Sequence, residues 1–326
     1  MRALFRRSEF VILAVLAVAM VAIGLVNPAF WQLQNLFSLL RANVVIGIMA
    51  LGVLTVMISG GIDVSFPAFA VAAMYLTVRG MLALDYQGVF LPFLAATLIG
   101  LVLGALNGLF VHGLRMIPLI VTLGTGSAVR GFLLGVVGTS TVNIDRMPPS
   151  LIAFGRRELV TISAADGTRY GLSAMLAVYL ALALVVHLLL RHTMIGRSVY
   201  ALGGDAEAAK RVGFDVRRTT FFVYCLAGAL AGFAGILHGS MIWLANPRDF
   251  VGLELDVIAA VVLGGASIFG GKGSVPGTLL GVFMLVMVNS SLIIMHVDTT
   301  WQRVVVGSIV IVATAATSWR DRKQLA

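Results

Sequence analysis

The stretch RHTMIGRSVYALGGDAEAAKRVGFDVRR, residues 191–218, lies between two long apolar runs of the chain. It holds six Lys or Arg residues and three acids, in a sequence of 326 residues of which only 11% are charged. Soluble domains carry about 25% charged residues, so the chain as a whole is too apolar for a soluble domain. We therefore interpret this stretch as a polar loop of a polytopic membrane protein, and the runs on either side as membrane spans.

Apolar runs of roughly 17–25 residues recur along the chain, a length that crosses ~30 Å of hydrocarbon as a helix. A transmembrane β-barrel would instead show alternating segments of about 10 residues. The composition, 60% hydrophobic with a mean hydropathy of +1.02, predicts an all-α polytopic membrane protein with about ten transmembrane helices. The first run continues past the small-residue site at 17–19, which favours a retained helix over a cleaved signal peptide. The predicted spans are about 10–26, 38–59, 66–84, 88–111, 117–138, 172–190, 219–243, 254–270, 274–296 and 300–318.

The distribution of Lys and Arg predicts the orientation of these spans. If both termini and residues 191–218 share one side, that side holds fourteen Lys or Arg residues and the other side eight, with Arg130 inside a span. Positively charged loops are enriched on the cytoplasmic side. We therefore predict cytoplasmic termini, a cytoplasmic 191–218 loop and a long external loop over 139–170. This topology also explains the net charge of +9 without nucleic acid as a partner.

Two glycines, an acid and a proline interrupt the apolar pattern in the segment Ser59-Gly60-Gly61-Ile62-Asp63-Val64-Ser65-Phe66-Pro67. Non-helical backbone at membrane depth is tolerated only where protein or water covers it. The Asp63 carboxylate can cap the following helix through its side-chain oxygen. It can also act directly in transport, the default hypothesis for an ionisable group in a membrane. The two roles are compatible.

A second glycine-rich interruption covers residues 263–274 and resembles a phosphate-binding loop at first sight. A Walker A motif requires Gly-x4-Gly-Lys followed directly by Ser or Thr. Here Gly273 follows Lys272, and the residue five before Gly271 is Ala266. The motif fails at both ends, so the sequence does not predict ATP hydrolysis by this chain.

The remaining polar residues and glycines of the spans suggest packing. Arg130 lies too deep to be free of cost and is expected to pair with an acid, bond to carbonyls or extend towards the outer surface. Asn107 is predicted to form an interhelical hydrogen bond. Neither Cys225 nor the five histidines show ligand spacing, so we predict no catalytic residues, no metal and no cofactor. Glycines at four-residue spacing predict close helix contacts: Gly100/Gly104/Gly108, Gly228/Gly232, Gly235/Gly239 and Gly277/Gly281.

On these residues, from about Asn35 to Trp319, the chain resembles the permease subunits of bacterial ABC importers for ribose, xylose, arabinose, galactosides and autoinducers. The most specific element is the apolar run 51–58 ending in Ser59-Gly60-Gly61-Ile62-Asp63-Val64-Ser65, similar to the family's Gly-Gly-Ile-Asp-Leu-Ser. The family continues with Val-Gly where this chain has Phe66-Pro67, which alters the start of the third helix. Further matches are Asn107-Gly108, Thr122-Leu123-Gly124 with Arg130-Gly131, Gly196-Arg197 through Gly213, Gly264-Gly265 and Gly270-Gly271.

The resemblance implies an ABC importer permease fold, type II-like, formed by one transmembrane domain over 1–326 in the bacterial inner membrane. It implies a separate ATPase subunit, a periplasmic sugar-binding protein, a second permease subunit in a homodimer or heterodimer, and contact with membrane lipid. Glu207-Ala208-Ala209-x-x-x-Gly213 is similar to the Glu-Ala-Ala-x-x-x-Gly of importer permeases, without the downstream Ile-x-Leu-Pro. The implied coupling residues are Asp205, Glu207, Ala208, Ala209, Lys210, Arg211 and Gly213. The implied pathway or gating residues are Gly60, Gly61, Asp63, Ser65, Phe66, Asn107, Gly264 and Gly265.

The resulting hypothesis is a permease that moves a monosaccharide or similar polyol by alternating access, driven by the separate ATPase. The alternative is an ion-coupled secondary transporter, which needs ionisable groups inside the membrane. Its candidates are Asp63, Glu254 and Asp256, all near the ends of predicted spans. An intramembrane enzyme is a more distant alternative, because no nucleophile–base or metal set is present.

Overall fold

The computed structural model describes residues 8–163 and 169–295, together with 298, 301, 304, 307, 308 and 311. These residues form helices joined by loops and one two-stranded hairpin. The helices are α1 (Ser8–Val26), α2 (Leu33–Ile58), α3 (Phe66–Ala83), α4 (Phe90–Gly108), α5 (Pro118–Phe132), α6 (Pro149–Gly155), α7 (Met175–His192), α8 (Met194–Gly204), α9 (Ala206–Arg211), α10 (Val216–Ile242), α11 (Leu253–Leu263) and α12 (Val275–Ile294). Strands β1 (Glu158–Ser163) and β2 (Arg169–Ser173) form the hairpin. A short 3-10 turn covers Pro28–Trp31, and π-helical turns extend α4 over Leu109–Gly113 and α5 over Leu133–Val137.

Seven helices of the described part are long and apolar enough to cross a membrane. They correspond to the second to seventh and the ninth of the predicted spans, and they confirm a predominantly helical, multi-pass architecture. The predicted first span appears as a shorter apolar helix, Ile12–Val26, and the predicted 254–270 span is the eleven-residue α11. Most of the predicted span 300–318 lies outside the described residues. The count of ten therefore stays a prediction, as does the orientation of the termini.

The hairpin is a departure from the all-α prediction. Strands β1 and β2 pair antiparallel, with Thr161 opposite Gly171 and Ile162 opposite Tyr170. β1 lies within the predicted 139–170 external loop, and β2 extends past it into the first residues of the predicted span 172–190 and leads directly into α7. The backbone groups of the hairpin pair with each other outside the spans, where water can satisfy the two edges.

Local sequence explains where the helices start and end. Pro67, Pro118 and Pro276 stand in the first turns of α3, α5 and α12, where a missing N–H is tolerated. The Ser274 hydroxyl accepts the Gly277 N–H at 3.1 Å and caps α12. α10 ends at Trp243, whose φ of 61° is left-handed.

The centre of the bundle is formed by α2, α3 and α10. In α2, α3 and α10, 78%, 72% and 61% of the residues in the most apolar stretch are buried. The corresponding shares are 28% and 22% for the helices at 90–113 and 118–137. The outer faces of the last two are therefore not covered by the described part of this chain. Helices α4 and α10 pack most closely. A Cβ on Gly100 would overlap the Gly228 carbonyl oxygen, and a Cβ on Gly232 would overlap the Ala96 carbonyl oxygen. The predicted close packing of these two glycine ladders is confirmed.

Candidate functional site

Three glycine-containing turns contact one another: the end of α2, the end of α8 and the loop after α11. The Gly271 N–H donates to the Ile58 carbonyl oxygen at 2.9 Å. A Cβ on Gly203 would overlap the same carbonyl oxygen, and one on Gly270 would lie 2.9 Å from the Gly60 Cα. Gly60 and Gly270 have φ of 84° and 91°, a region that disfavours other L residues. The three backbones are thus in direct contact. We call residues 58–60, 203–204 and 270–271 the glycine junction.

A buried polar chain extends from the junction into the bundle. The Asp63 Oδ1 accepts the Ser65 N–H at 2.7 Å and the Ser65 hydroxyl at 2.6 Å. The Asn107 amide donates to the Ser65 Oγ at 2.8 Å, and the Thr125 hydroxyl donates to the Asn107 Oδ1 at 2.7 Å. Asp63, Ser65 and Asn107 are at most 3% exposed. The network therefore joins the α2–α3 connection to α4 and α5 without contact with bulk water.

These contacts settle two of the sequence-based expectations. The interhelical role predicted for Asn107 is confirmed, because its amide bonds to groups outside α4 on both sides. The cap predicted for Asp63 is not observed: Ser65 is the N-cap residue of α3 and no side chain caps this helix, although the Asp63 carboxylate accepts one amide there. That amide belongs to Ser65, the residue before the helix, and not to the second or third helical residue that a standard N-cap would bind.

Sequence reasoning assigned no role in this network to Thr122 and Thr125, or to the neighbouring Tyr224. The Val64 N–H and the Ile62 carbonyl oxygen each lie 3.3 Å from the Thr122 hydroxyl. The Tyr224 hydroxyl lies 2.8 Å from the position that a Cβ on Gly61 would occupy. This hydroxyl has no hydrogen-bond partner among the described residues. Thr122, Thr125 and Gly126 recur at i, i+3 and i+4, so they share one helix face. That spacing was a usable signal, whereas nothing in the sequence pointed to Tyr224.

The predicted pathway residues form two groups. Gly61, Asp63, Ser65, Phe66 and Asn107 are buried together, and Gly60 is exposed at the junction. Gly264 and Gly265 lie elsewhere, at the contact of α11 with α12, where a Cβ on Gly264 would come 2.6 Å from the Gly277 carbonyl oxygen. The structure does not bring the second group into the polar network.

The predicted coupling string folds as a short, well-capped helix. The Asp205 Oδ1 accepts the N–H groups of Glu207 at 2.9 Å and Ala208 at 3.0 Å, so Asp205 is the N-cap of α9. Gly213, with φ of 93°, follows the helix in the left-handed conformation expected of a C-terminal glycine. Within α9 only Ala209 is buried. The charged side chains Glu207, Lys210 and Arg211 are exposed.

Helix α8 links this helix to the glycine junction. Gly203 and Gly204 end α8, and Asp205 follows directly as the cap of α9. Phe269 stands beside them, at the tip of a turn closed by a 3.2 Å hydrogen bond from the Gly270 N–H to the Ser267 carbonyl oxygen. Its side chain is 91% exposed. Sequence reasoning did not single out Phe269, although a phenylalanine flanked by glycine-rich turn residues is an unusual place for an aromatic.

The other end of α10, about 40 Å away along this 27-residue helix, holds a different irregular segment, residues 243–252. Arg130 donates to the carbonyl oxygens of Asp249 at 3.4 Å and Phe250 at 3.1 Å. This confirms the carbonyl option among the roles expected for Arg130. Arg41 donates to the Met241 carbonyl oxygen at 2.7 Å, just before the segment. An antiparallel bridge between Val142 and Ala245 joins the segment to the loop after α5.

This arrangement provides a hydrogen-bond network and direct backbone contact. In the part of the chain that the structure describes, no group of three or more His, Cys, Asp or Glu could hold a metal ion. The Asp63 carboxylate faces serine and backbone N–H donors.

Comparison with known proteins finds import permeases among the relatives of this chain. The ribose import permease protein RbsC of Haemophilus influenzae is 30% identical over 99% of this chain and 96% of its own length. RbsC of Bacillus subtilis is 34% identical over 95% of this chain and 92% of its own. The autoinducer 2 import system permease protein LsrC of Enterobacter sp. is 33% identical over 95% of this chain and 87% of its own. No solved structure matches the chain.

The resemblance inferred from the motifs is thus confirmed at the level of the family. The matching region, residues 35–314, covers the polar network, the glycine junction and α9. The chain belongs to the family described as the branched-chain amino acid transport system permease component.

Proposed function

We propose that this chain is the membrane-spanning subunit of an ATP-driven importer that moves a monosaccharide or similar polyol across the bacterial inner membrane. The observation that carries the proposal is the backbone continuity from the exposed helix α9, through α8, to the glycine junction and the Asp63 network. The relatives named above are two ribose permeases and one autoinducer 2 permease, and they support a small hydroxylated substrate. The proposed importer complex also contains a separate ATPase, a periplasmic sugar-binding protein and a second permease subunit.

The 191–218 loop is the proposed docking site of the ATPase. Asp205 and Gly213 cap the two ends of α9 and hold it in one conformation, which lowers the entropy lost on binding. Exposed charges on Glu207, Lys210 and Arg211 supply electrostatic complementarity to a partner. The turn that contacts Gly203 and Gly204 carries Phe269, an exposed aromatic side chain of the type that anchors many interfaces.

Movement of the docked helix is proposed to open and close the pathway. Gly203 at the end of α8 contacts the Ile58 carbonyl oxygen, so a shift of α9 is passed to the end of α2 by backbone contact. From there the Asp63–Ser65–Asn107–Thr125 bonds carry it to α4 and α5. A closely packed core deforms as a unit rather than continuously, which suits a two-state gate. Asp63, Ser65 and Asn107 thus act as gating residues, while the 139–170 loop faces the binding protein.

Charge reversal of α9 tests the docking proposal. In the variant Lys210→Glu/Arg211→Glu/Gly213→Pro, proline cannot adopt the left-handed backbone at 213 and the surface charge changes sign. We expect the co-purified ATPase to fall at least tenfold while membrane insertion and monodispersity are unchanged. The matched control, Arg146→Glu/Arg157→Glu, reverses two exposed arginines outside the 191–218 loop. Unchanged co-purification of the ATPase with the α9 variant would show that the docking assignment is wrong.

Reconstitution in liposomes separates this proposal from the ion-coupled alternative. The Asp63 carboxylate already accepts two hydrogen bonds, and Glu254 and Asp256 lie in the first turn of α11. We expect sugar uptake only with the ATPase, the binding protein and ATP present. Uptake by this chain alone under a proton or sodium gradient would exclude the ATP-driven mechanism.

A further inference from the structure

A cavity of about 440 Å³ opens between the end of α7, the start of α8 and the first turn of α12. It lies away from the Asp63 network, and neither the transport proposal nor the comparisons give it a role. Three basic side chains line it, His187, Arg191 and Arg197, and no acidic residue does. Leu190 and Val275 form an apolar part of its wall.

The positive charge of this cavity is not compensated locally. Among the described residues, none of His187, Arg191 and Arg197 forms a salt bridge; Arg197 makes only a 3.7 Å contact with the Met194 sulfur. The Tyr200 hydroxyl in the wall donates to the Gly273 carbonyl oxygen at 2.8 Å. Burial raises the pKa of Tyr200, so this phenol stays neutral. The N-terminus of the twenty-residue α12 adds the positive end of a helix dipole.

An apolar stripe on α7 leads straight into the cavity. Leu180, Leu184 and Leu188 are 49%, 58% and 46% exposed, and nothing in the described residues covers them. The spacing of 180, 184, 188 and 191 places these leucines and Arg191 on one helix face. On a membrane span such a face lies against acyl chains, and the cavity sits where that face ends. The ligand that fits both features is amphiphilic, with an anionic head.

We propose that this cavity binds the phosphate of an anionic phospholipid, with Arg191 and Arg197 contacting the head group and an acyl chain lying along α7. Guanidinium groups bind phosphate oxygens through charge-assisted hydrogen bonds. Basic pockets between transmembrane helices are a known mode of anionic head-group recognition. The site does not depend on the transport proposal, since it requires only that α7 span the membrane. A free phosphate ester shares the same head-group chemistry, and the experiment distinguishes the two sources.

The test uses the full-length chain purified in detergent with equal amounts of phosphatidylglycerol and phosphatidylcholine, followed by quantification of retained lipid. We expect the wild type to retain phosphatidylglycerol about tenfold over phosphatidylcholine. Arg191→Gln/Arg197→Gln should reduce this ratio to about one, whereas Arg191→Lys/Arg197→Lys should keep most of it. The matched control Arg115→Gln/Arg217→Gln removes the same charge elsewhere and should keep the wild-type ratio. Size-exclusion profiles of all variants check that the fold is intact.

Three outcomes would overturn the proposal. Equal retention of the two lipids by the wild type would mean that no anionic selectivity exists. A Gln double variant that folds and keeps the full ratio would place the selectivity at another surface. Displacement of phosphatidylglycerol by millimolar inorganic phosphate, with equal thermal stabilisation by phosphate alone, would identify a free-phosphate site instead of a lipid site.

Discussion

The segments 59–65 and 243–252 both interrupt helical structure, but they are held in different ways. At the first, glycine backbones touch, and the polar groups bond over 2.6–2.8 Å to partners that are nearly fully buried. At the second, one backbone bridge joins Ala245 to Val142, but the carbonyl oxygens of Asp249 and Phe250 are bonded by the long side chain of Arg130, and Arg156 lies over the Trp243 ring. Backbone contact leaves little freedom, whereas an arginine can follow a moving carbonyl by changing rotamer. The comparison indicates a stiff end, suited to transmitting movement, and an adjustable end.

The largest effect is expected at the stiff end, from Gly203→Val. The new side chain would overlap the Ile58 carbonyl oxygen, and neither backbone can withdraw from the junction. Overpacking of this kind costs about 3 kcal/mol or more. Thermal unfolding in detergent and the monodisperse yield measure it. Gly204→Ala is the control, because a Cβ there meets no atom within 4 Å. If both variants unfold like the wild type, the junction is not stiff.

Removal of the amide at Asn107 should have the next largest effect. Asn107→Leu keeps the branched shape and the number of side-chain heavy atoms but deletes the bonds to Ser65 and Thr125 and leaves both hydroxyls with fewer partners. Interhelical hydrogen bonds in membranes contribute about 0.6–1.7 kcal/mol each, so we expect a loss of about 1–3 kcal/mol. Thr97→Val serves for comparison, since the Thr97 hydroxyl bonds only to a carbonyl of its own helix. An equal loss of stability in the two variants would show that the network contributes no more than one hydrogen bond within a helix.

A smaller effect is expected at the adjustable end, from Arg130→Met. The variant keeps an apolar side chain and removes the donors to Asp249 and Phe250, at a cost of about 1 kcal/mol. The transport rate should change more than the stability, because the 243–252 segment loses its restraint. Arg130→Lys should restore part of both. A loss of stability as large as that of Gly203→Val would show that the two ends are equally rigid.

The smallest effect is expected from Arg156→Ala. The guanidinium lies 4.1 Å from the centre of the Trp243 ring, on an exposed residue. Exposed cation–π contacts contribute about 0.5–1 kcal/mol. Tryptophan fluorescence should shift while the midpoint of thermal unfolding changes by no more than a few degrees. Arg157→Ala, at the neighbouring exposed position, should change neither quantity, and a fluorescence shift there would point to a general surface effect.

Much of the fold could be predicted from the apolar periodicity. Spans such as 66–84, 117–138 and 219–243 agree with α3, α5 and α10 within a few residues, apart from the π-helical turn that ends α5. The prediction failed where length and composition mislead. Residues 254–270 read as one apolar run, yet α11 ends at Leu263, because Gly265 adopts a φ of 87°. The β1–β2 hairpin was missed because its sequence carries no strong alternation of apolar and polar residues.

Part of the candidate site could be predicted as well. Asn107 was recognised because an amide within an apolar span needs a partner, and α9 because Glu207-Ala208-Ala209-x-x-x-Gly213 resembles the motif of importer permeases. Tyr224 and Phe269 could not be found in this way. The position of the Tyr224 hydroxyl beside Gly61 depends on how α10 crosses α2, and the exposure of Phe269 depends on the packing of the turn beneath it.

The sequence by itself determined that this is a multi-pass helical membrane protein with a polar loop at 191–218, and it identified the permease family. The architecture follows from hydrophobic length and charge placement, and the family from a resemblance carried by short motifs such as Gly60-Gly61-Ile62-Asp63, all of which involve a few neighbouring residues at a time. Only the tertiary structure decided that Gly60, Gly203 and Gly270 meet, and that Asp63 joins α4 and α5 through Ser65 and Asn107. These contacts join residues up to about 210 positions apart in the chain. Close packing of helix backbones selects such partners, and no local pattern encodes them.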